Sequence, residues 1–296
     1  MKIGFVGLGR MGSNMVLNLI KHNHEVIGYD LHSETIKKLA KRGMIPSYSL
    51  EEMLQKSPKQ KIIWLMIPAG NTVDQITSIL SPHLIRGDII IDGGNSFFKD
   101  SQKRYKKLKK KGISFLDVGT SGGIEGAKNG ACMMIGGDKK IFKKIEALFR
   151  DMCVKDGYGY VGKSGAGHYV KMVHNGIEYG MIGSIAEGMQ AIRESQFKPD
   201  MRETTRILAH GSIIESRLTS WLQKSFDKKN YLDKISGTVP KGETEEEMKK
   251  LEKMVYMPIL HTAISQREES RKKPSYAGKL TAAMRNQFGG HKVKKK

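Results

Sequence analysis

The stretch MKIGFVGLGRMGSNMVLNLI, residues 1–20, with the continuation KHNHEVIGYD, residues 21–30, decides the fold. Lys2 to Val6 is a short apolar run of strand character. Gly7, Gly9 and Gly12 then supply Gly-x-Gly-x-x-Gly, Met11 to Ile20 has helical periodicity, and a second strand, Val26 to Tyr29, ends at Asp30. This is the strand–turn–helix–strand context that a dinucleotide-binding turn requires. Gly7 permits the tight turn, Gly9 lets backbone approach a diphosphate, and Gly12 lets the helix pack close to the strand. Leu8, Arg10 and Met11 complete the candidate dinucleotide contacts of this turn. The amino terminus of the helix favours the negative charge of a diphosphate. Asp30 is placed to accept hydrogen bonds from the adenosine ribose hydroxyls. Its charge repels a 2′-phosphate, no arginine immediately follows it, and neutral His32 is a weak anion ligand, so NAD is expected over NADP.

Further βα units follow. Ile62 to Met66 is a strand leading into Ile67-Pro68-Ala69-Gly70 and a helix near Val73 to Leu80, so Met66, Ile67 and Pro68 are candidate dinucleotide contacts. Ile89 to Ile91 ends in Asp92-Gly93-Gly94-Asn95-Ser96, and Phe115 to Val118 ends in Gly119-Thr120-Ser121-Gly122-Gly123. Ala131 to Ile135 is closed by Gly136-Gly137. Ligands of open α/β sheets gather outside the carboxyl ends of parallel strands. Asn95 and Ser121 are therefore candidates, although either residue type also caps helices and turns. After Gly165 the strand pattern largely stops. A long periodic segment covers about 167–195, with further helices expected at 201–209, 212–223, 245–256, 259–269 and 277–286, and a loop at 235–244. The expectation is an α/β Rossmann-type N-terminal domain followed by an all-α C-terminal domain. Residues 1–165 would bind NAD, and residues 166–296 would form a helical substrate-binding and oligomerisation domain.

Lys171, Asn175 and Glu178 recur at i, i+4 and i+7 in AGHYVKMVHNGIEYG, which puts an amine, an amide and a carboxylate on one helix face. His174 belongs to the polar side, whereas Val173, Ile177 and Met181 fall on a different face. Gly176, Gly180, Gly183, Ser184 and Ala186 suit close packing of this helix against partners, in the same chain or another subunit. Buried polar side chains carry a desolvation cost unless they are paired or face a substrate cleft.

Lys and Arg total 51 against 30 acidic residues, a formal net charge of +21. The lysines are scattered through helical surface segments such as Lys103 to Lys111, with no zinc-finger spacing and no aromatic RNA-binding pattern. Solvated faces and steering of an anionic substrate are expected, with no specific nucleic acid. Cys132 and Cys153 form no Cys-x-x-Cys pair and read as two buried thiols in a reducing compartment. No metal site is expected. The amino terminus lacks a signal-peptide pattern and no apolar segment is long enough for a bilayer, so a soluble, cytoplasmic protein without membrane partners is expected.

The segments GLGRMGSNM, IDGGNS, TSGGIEGAKNG, GAGHYVKMVHNGIEYG and RNQFGGH closely resemble the decarboxylating 6-phosphogluconate dehydrogenase family, in its short NAD-preferring form, over nearly the whole chain. The resemblance implies oxidation of 6-phospho-D-gluconate to D-ribulose 5-phosphate, carbon dioxide and NADH in the pentose phosphate pathway. Lys171 matches the general base and Glu178 the acid that protonates C1. Asn175 and His174 match substrate-orienting positions, and Asn95, Ser121, Gly122 and Gly123 match the other main substrate contacts. Tyr179 matches a phosphate contact. Arg285 and His291 match a tail that reaches the neighbouring subunit's active site, to hold phosphate and sugar acid respectively. That placement implies a homodimer or homotetramer with shared active sites. The chain departs from the long members at Glu215, where they carry an arginine; Arg217 and the Lys241-Gly242 loop are the nearest replacements as phosphate ligands. The related β-hydroxyacid dehydrogenases share the domain plan and a catalytic lysine, but HNGIEY and the Arg285-to-His291 tail favour the phosphogluconate enzyme. A basic nucleic-acid-binding protein that retains a nucleotide fold, and an inactive relative, are the readings from other classes.

Overall fold

The apolar run at residues 2–6 forms β1 (Lys2–Val6), buried along nearly its whole length inside an eight-stranded sheet. The structure is a computed structural model and describes residues 1–242 and 244–295. The chain divides into two compact units, Met1–Lys171 and Met172–Lys296. In the first, β1 is followed by α1 (Arg10–Lys21), β2 (Glu25–Tyr29), α2 (Ser33–Ala40), β3 (Ile45–Pro46), α3 (Leu50–Lys56), β4 (Ile62–Leu65) and α4 (Asn71–Leu80). Then come β5 (Ile89–Asp92), α5 (Phe98–Lys109), β6 (Ser114–Ser121), α6 (Gly123–Asn129), β7 (Ala131–Gly136), α7 (Lys139–Lys144), α8 (Glu146–Met152) and β8 (Cys153–Gly162). The long helix α9 (Ala166–Glu194) begins in the first unit and continues in the second. The second unit adds α10 (Met201–Leu208), α11 (Arg217–Asp227), α12 (Glu245–Met254), α13 (Pro258–Lys272) and α14 (Tyr276–Gly289).

The strand order is β3-β2-β1-β4-β5-β6-β7-β8, all parallel except the β6–β7 pair. Chain direction across the sheet reverses between β1 and β4, which opens a crevice at the carboxyl ends of those strands. The apolar runs alternate between two cores. Ile3, Phe5, Trp64, Ile89 and Ile91 join one, while Val6, Ile63, Leu65 and Ile90 join the other. A sheet covered by helices on both faces requires this continuous apolarity. The helical unit has its own core, in which Ile182, Ala186 and Met189 of α9 pack with Leu218, Leu222, Leu280 and Met284.

Three expectations are corrected, and two elements are added. The segment expected as helix at 212–223 starts only at Arg217, because Ser216 is extended and caps the helix reciprocally with Thr219. β8 and the glycine-rich α6 add elements that weak local patterns did not announce. Cys132 is exposed, because it occupies the solvent-facing alternate of β7, and Cys153 is half-buried rather than sealed in a core. Burial, then the neighbouring Cys132, pushes the Cys153 thiol up to about 12. Among the described residues no helix is long and apolar enough to cross a membrane, and no cluster of metal-ligating side chains is present.

The α1 turn separates packing from ligand access. A Cβ on Gly12 would lie 2.0 Å from the Gly7 carbonyl oxygen, whereas a Cβ on Gly9 would meet nothing within 4 Å. Gly12→Ala is expected to destabilise the fold by about 1–3 kcal/mol, and Gly9→Ala to change it by less than about 0.5 kcal/mol. Thermal or urea melts measure both; equal melts would contradict this division.

Candidate active site

The loops after β1, β4 and β5 lie edge to edge at the sheet's carboxyl end. A Cβ on Gly7 would sit 2.3 Å from the Met66 carbonyl oxygen, and one on Gly94 would sit 2.9 Å from that of Ile67. Thr120 Oγ1, at the end of β6, donates to the Gly93 carbonyl at 3.3 Å. The structure thereby brings together the turn Gly7–Gly12, the Met66–Pro68 loop, the Asn95 loop and the Ser121 strand end. Pro68 and Arg10 are exposed, whereas Leu8 is buried beneath the turn. Gly122 has φ +114 and is the amino-terminal cap of α6, and Gly123 is its first residue.

The residues fit a nicotinamide dinucleotide. The amino-terminal cap of α1 is Gly9, with no side chain capping the helix and open space where its Cβ would be. The first-turn N–H groups are thus presented as an anion cradle. Asp30 stands just past the end of β2, and its Oδ2 accepts the Leu8 N–H at 2.6 Å. Its Oδ1 accepts the His32 N–H at 2.8 Å and lies 3.0 Å from the His32 ring Nδ1. Burial raises the Asp30 carboxyl, but hydrogen bonds from His32 and Leu8 outweigh it and hold the group below its ordinary value. A carboxylate so held stays charged at neutral pH, next to the turn that would carry the adenosine half.

Lys171 is placed by backbone contact. The Asp117 carboxylate, fully buried on β6, accepts N–H groups from Gly165 at 2.7 Å and His168 at 3.1 Å, and so caps the start of α9. Gly167 lies against the Asp117 and Met134 carbonyls, where an added Cβ would come within 2.2 Å and 2.6 Å of their oxygens. A turn later the Lys171 stem crosses β6 at Gly119, where a Cβ would sit 2.4 Å from Lys171 Cβ. Only glycine at residue 119 lets the lysine lie there. The buried His168 ring bonds the Ser101 hydroxyl through Nδ1 at 2.7 Å.

The helical unit holds a second constellation. Asn175 is buried with its Oδ1 at 3.2 Å from His174 Nδ1. Tyr179, a turn beyond, is buried and its hydroxyl bonds Thr244 Oγ1 at 3.0 Å. The Arg267 guanidinium lies over the Tyr179 ring, 3.2 Å from its centroid. Arg285, also buried, donates from Nη1 to the Pro240 carbonyl at 2.8 Å. A Cβ on Gly242 would sit 2.6 Å from Arg285 Nη2, so the Lys241-Gly242 loop rests on that guanidinium. Glu245 is buried and forms a two-pronged pair with Arg271 at 2.8 and 3.0 Å. Burial is the main force lowering both buried arginines, Arg267 to about 10, with each other's charge adding for Arg267 and the charges of Tyr179, Glu178 and Glu245 opposing. Both remain cations at neutral pH. Arg267 Nη2 is buried with no hydrogen-bond partner among the described residues. Such an arrangement asks for a dianion.

Arg267 is the residue that sequence reasoning missed. Its signal was present: it interrupts the buried stripe Leu260, Ala263, Ile264 and Ser270 of α13 with a charge. Arg217, the expected replacement, instead stacks over Trp221 at 5.2 Å on the surface of α11. Glu215 accepts the Gly211 N–H at 2.6 Å and closes its own turn. Lys241 pairs with Glu246 at 2.6 Å. Arg285, which the resemblance assigned to a neighbouring subunit's site, lies on α14, whose Leu280 and Met284 pack into the helical unit's own core. His291 stacks edge-on against Phe288 at 5.7 Å.

A doubly wound dinucleotide unit, an acidic ribose position and a lysine held at the sheet edge define an NAD(P)-dependent oxidoreductase. Residues 2–162 match the NAD binding domain of 6-phosphogluconate dehydrogenase, and residues 167–195 match the C-terminal domain of 6-phosphogluconate dehydrogenase. The chain is 41% identical to YqeC of Bacillus subtilis, a candidate 6-phosphogluconate dehydrogenase, over 100% of both chains. It is 34% identical to the NAD(+)-dependent, decarboxylating 6-phosphogluconate dehydrogenase of Haloferax volcanii, over 100% of this chain and 99% of that one. The Plasmodium falciparum 6-phosphogluconate dehydrogenase superposes with a TM-score of 0.81 at 30% identity, over 92% of this chain and 62% of that one. The chain belongs to the 6-phosphogluconate dehydrogenase family.

Asp30→Asn keeps an acceptor but removes the charge. Because hydrogen bonds to charged groups contribute about 1.5–3 kcal/mol, KM for NAD is expected to rise about 10- to 100-fold while KM for NADP falls. Steady-state kinetics with both cofactors measures this, and an unchanged NAD-to-NADP ratio of kcat/KM would contradict the role given to Asp30.

Proposed function

We propose that the chain oxidises 6-phospho-D-gluconate with NAD and releases carbon dioxide to give D-ribulose 5-phosphate. The observation that carries this reading is the buried pair of guanidiniums, Arg267 and Arg285, gathered around Tyr179, eight residues along α9 from Lys171. A substrate with a phosphate matches that dication; a small uncharged-tailed hydroxyacid would leave it uncompensated. The α/β unit would bind the dinucleotide, and the helical unit would bind the phosphorylated end of the substrate.

A nicotinamide dinucleotide bound at the α1 turn would supply the hydride acceptor for C3 of the substrate. Lys171, in its neutral form, takes the C3 hydroxyl proton as that hydride leaves. The resulting 3-keto acid loses carbon dioxide because its carbonyl accepts the electrons as an enol. Lys171, now protonated, returns its proton to the developing oxygen. Glu178 then protonates the former C2, which becomes C1 of ribulose 5-phosphate, while the C3 enol hydroxyl gives its proton back to neutral Lys171 and the ketone re-forms. Asn175 and His174 orient the hydroxyls, and Asn95, Ser121, Gly122 and Gly123 hold the sugar acid from the sheet edge. Tyr179, Arg267 and Arg285 hold the phosphate, and His291 is assigned to the sugar acid.

An apolar patch on the helical unit supports assembly of copies. Ile177, Met181, Ile213, Ile214 and Ile259 are exposed around one groove of about 590 Å³. Exposed aliphatic side chains gathered in this way suit a homo-oligomer interface.

Lys171→Met is expected to lower kcat by about 10²–10⁴-fold with NAD binding, measured by fluorescence titration, largely retained. Unchanged turnover would remove Lys171 from the mechanism. Arg267→Met is expected to raise KM for 6-phosphogluconate by about 10- to 100-fold, the value of a charge-assisted contact, while Arg217→Met leaves it unchanged. The reverse pattern would move the phosphate site to α11.

A further inference from the structure

We propose that Arg104 is a positioning residue for the reaction proposed above: it locks the Asp92–Ser96 turn, and with it Asn95, to the loop that follows β4. The inference rests on that functional reading. Arg104 lies on α5 and its side chain is only 4% exposed. Its Nε donates to Asp74 Oδ1 at 2.8 Å, and its Nη2 to the Gly70 carbonyl at 3.0 Å. Its Nη1 reaches Asp92 Oδ2 at 3.3 Å and Ser96 Oγ at 3.2 Å. One guanidinium therefore joins three segments: α5, the end of the β4–α4 loop, and the turn after β5.

The turn is itself wound around Asp92, which is fully buried. Asp92 Oδ1 accepts the Gly94 N–H at 3.3 Å, and Oδ2 accepts the Ser96 hydroxyl at 2.7 Å. Asn95 is the residue between those two anchored neighbours, so its backbone has little freedom while the network holds. A counter-ion for Asp92 alone would need only one cationic contact. Arg104 extends past Asp92 to Asp74, in the first turn of α4, and to Gly70, at the end of the loop that also carries the candidate dinucleotide contacts Met66, Ile67 and Pro68. The planar fork has separated donors that make this span; a lysine ammonium radiates its three donors from a single atom and cannot. The consequence is that one buried side chain sets the position of a substrate contact relative to the cofactor loop.

Arg104→Lys keeps the positive charge beside Asp92 and loses the span. The test compares the unaltered chain, Arg104→Lys, Asn95→Ala and the double variant, with kcat and KM for 6-phosphogluconate and NAD and a thermal melt for each. Because a displacement near 1 Å at a reacting group costs about 10²-fold, Arg104→Lys is expected to lower kcat/KM for 6-phosphogluconate about 10- to 100-fold while the melt stays cooperative. The double variant should be no slower than Asn95→Ala alone, since Arg104 acts through Asn95. Asp74 is half exposed, so Asp74→Ala removes one bond while Asp92 still faces the buried Arg104 charge. It should show a smaller loss that Asn95→Ala also abolishes, and it decides the matter if Arg104→Lys does not fold. Wild-type kinetics in either single variant, or losses that multiply in the double variants, would overturn the inference. Absence of turnover in the unaltered chain would instead overturn the functional reading on which it rests.

Discussion

The start of α9 has to lie on bare backbone. Gly167 touches the carbonyls of Asp117 and Met134, Gly119 makes room for the Lys171 stem, and the Asp117 carboxylate takes the N–H groups of Gly165 and His168. A buried carboxylate at a helix amino terminus is stabilised by the dipole and by the bonds it accepts, and it fixes the axial position of the helix in return. Once that turn is seated, helical phase does the rest. Asn175 follows Lys171 by four residues, Glu178 by seven and Tyr179 by eight, so the polar side chains proposed to work on substrate are spaced by a single continuous helix.

Most of this order was legible in the chain itself. β1, the α1 turn and β2 followed from an apolar run, three glycines at fixed spacing and an acid at a strand end, because those residues obey local rules. The long helix at 167–195 declared itself by period. Short or glycine-rich elements did not: α6 has four of its residues in GIEG, and β8 alternates weakly because it lies half-exposed on the sheet edge. The delayed start of α11 shows the same limit, since a capping residue outranked the apolar residues Ile213 and Ile214 before it.

The phosphate end was the least readable part. Arg217 is the sequence neighbour of the missing arginine at Glu215, but the buried guanidinium over Tyr179 belongs to Arg267, fifty residues further on. Tertiary packing chose it, and the mark it left in sequence was a charge within a buried stripe. Cys132 erred in the opposite sense: cysteine is commonly buried, yet β-strand alternation turned this one outward. Under the proposed function, positive potential would raise the encounter rate of an anionic sugar acid, and the two buried arginines would recognise its phosphate.

Under the proposed function, oxidation and loss of carbon dioxide are one coupled reaction of 6-phosphogluconate on this chain. The most direct measurement is the ratio of NADH formed to carbon dioxide released from 6-phosphogluconate, with ribulose 5-phosphate followed in the same samples. Coupling gives one carbon dioxide and one ribulose 5-phosphate for each NADH throughout the time course. NADH formation without carbon dioxide, or no NADH at all, would contradict it.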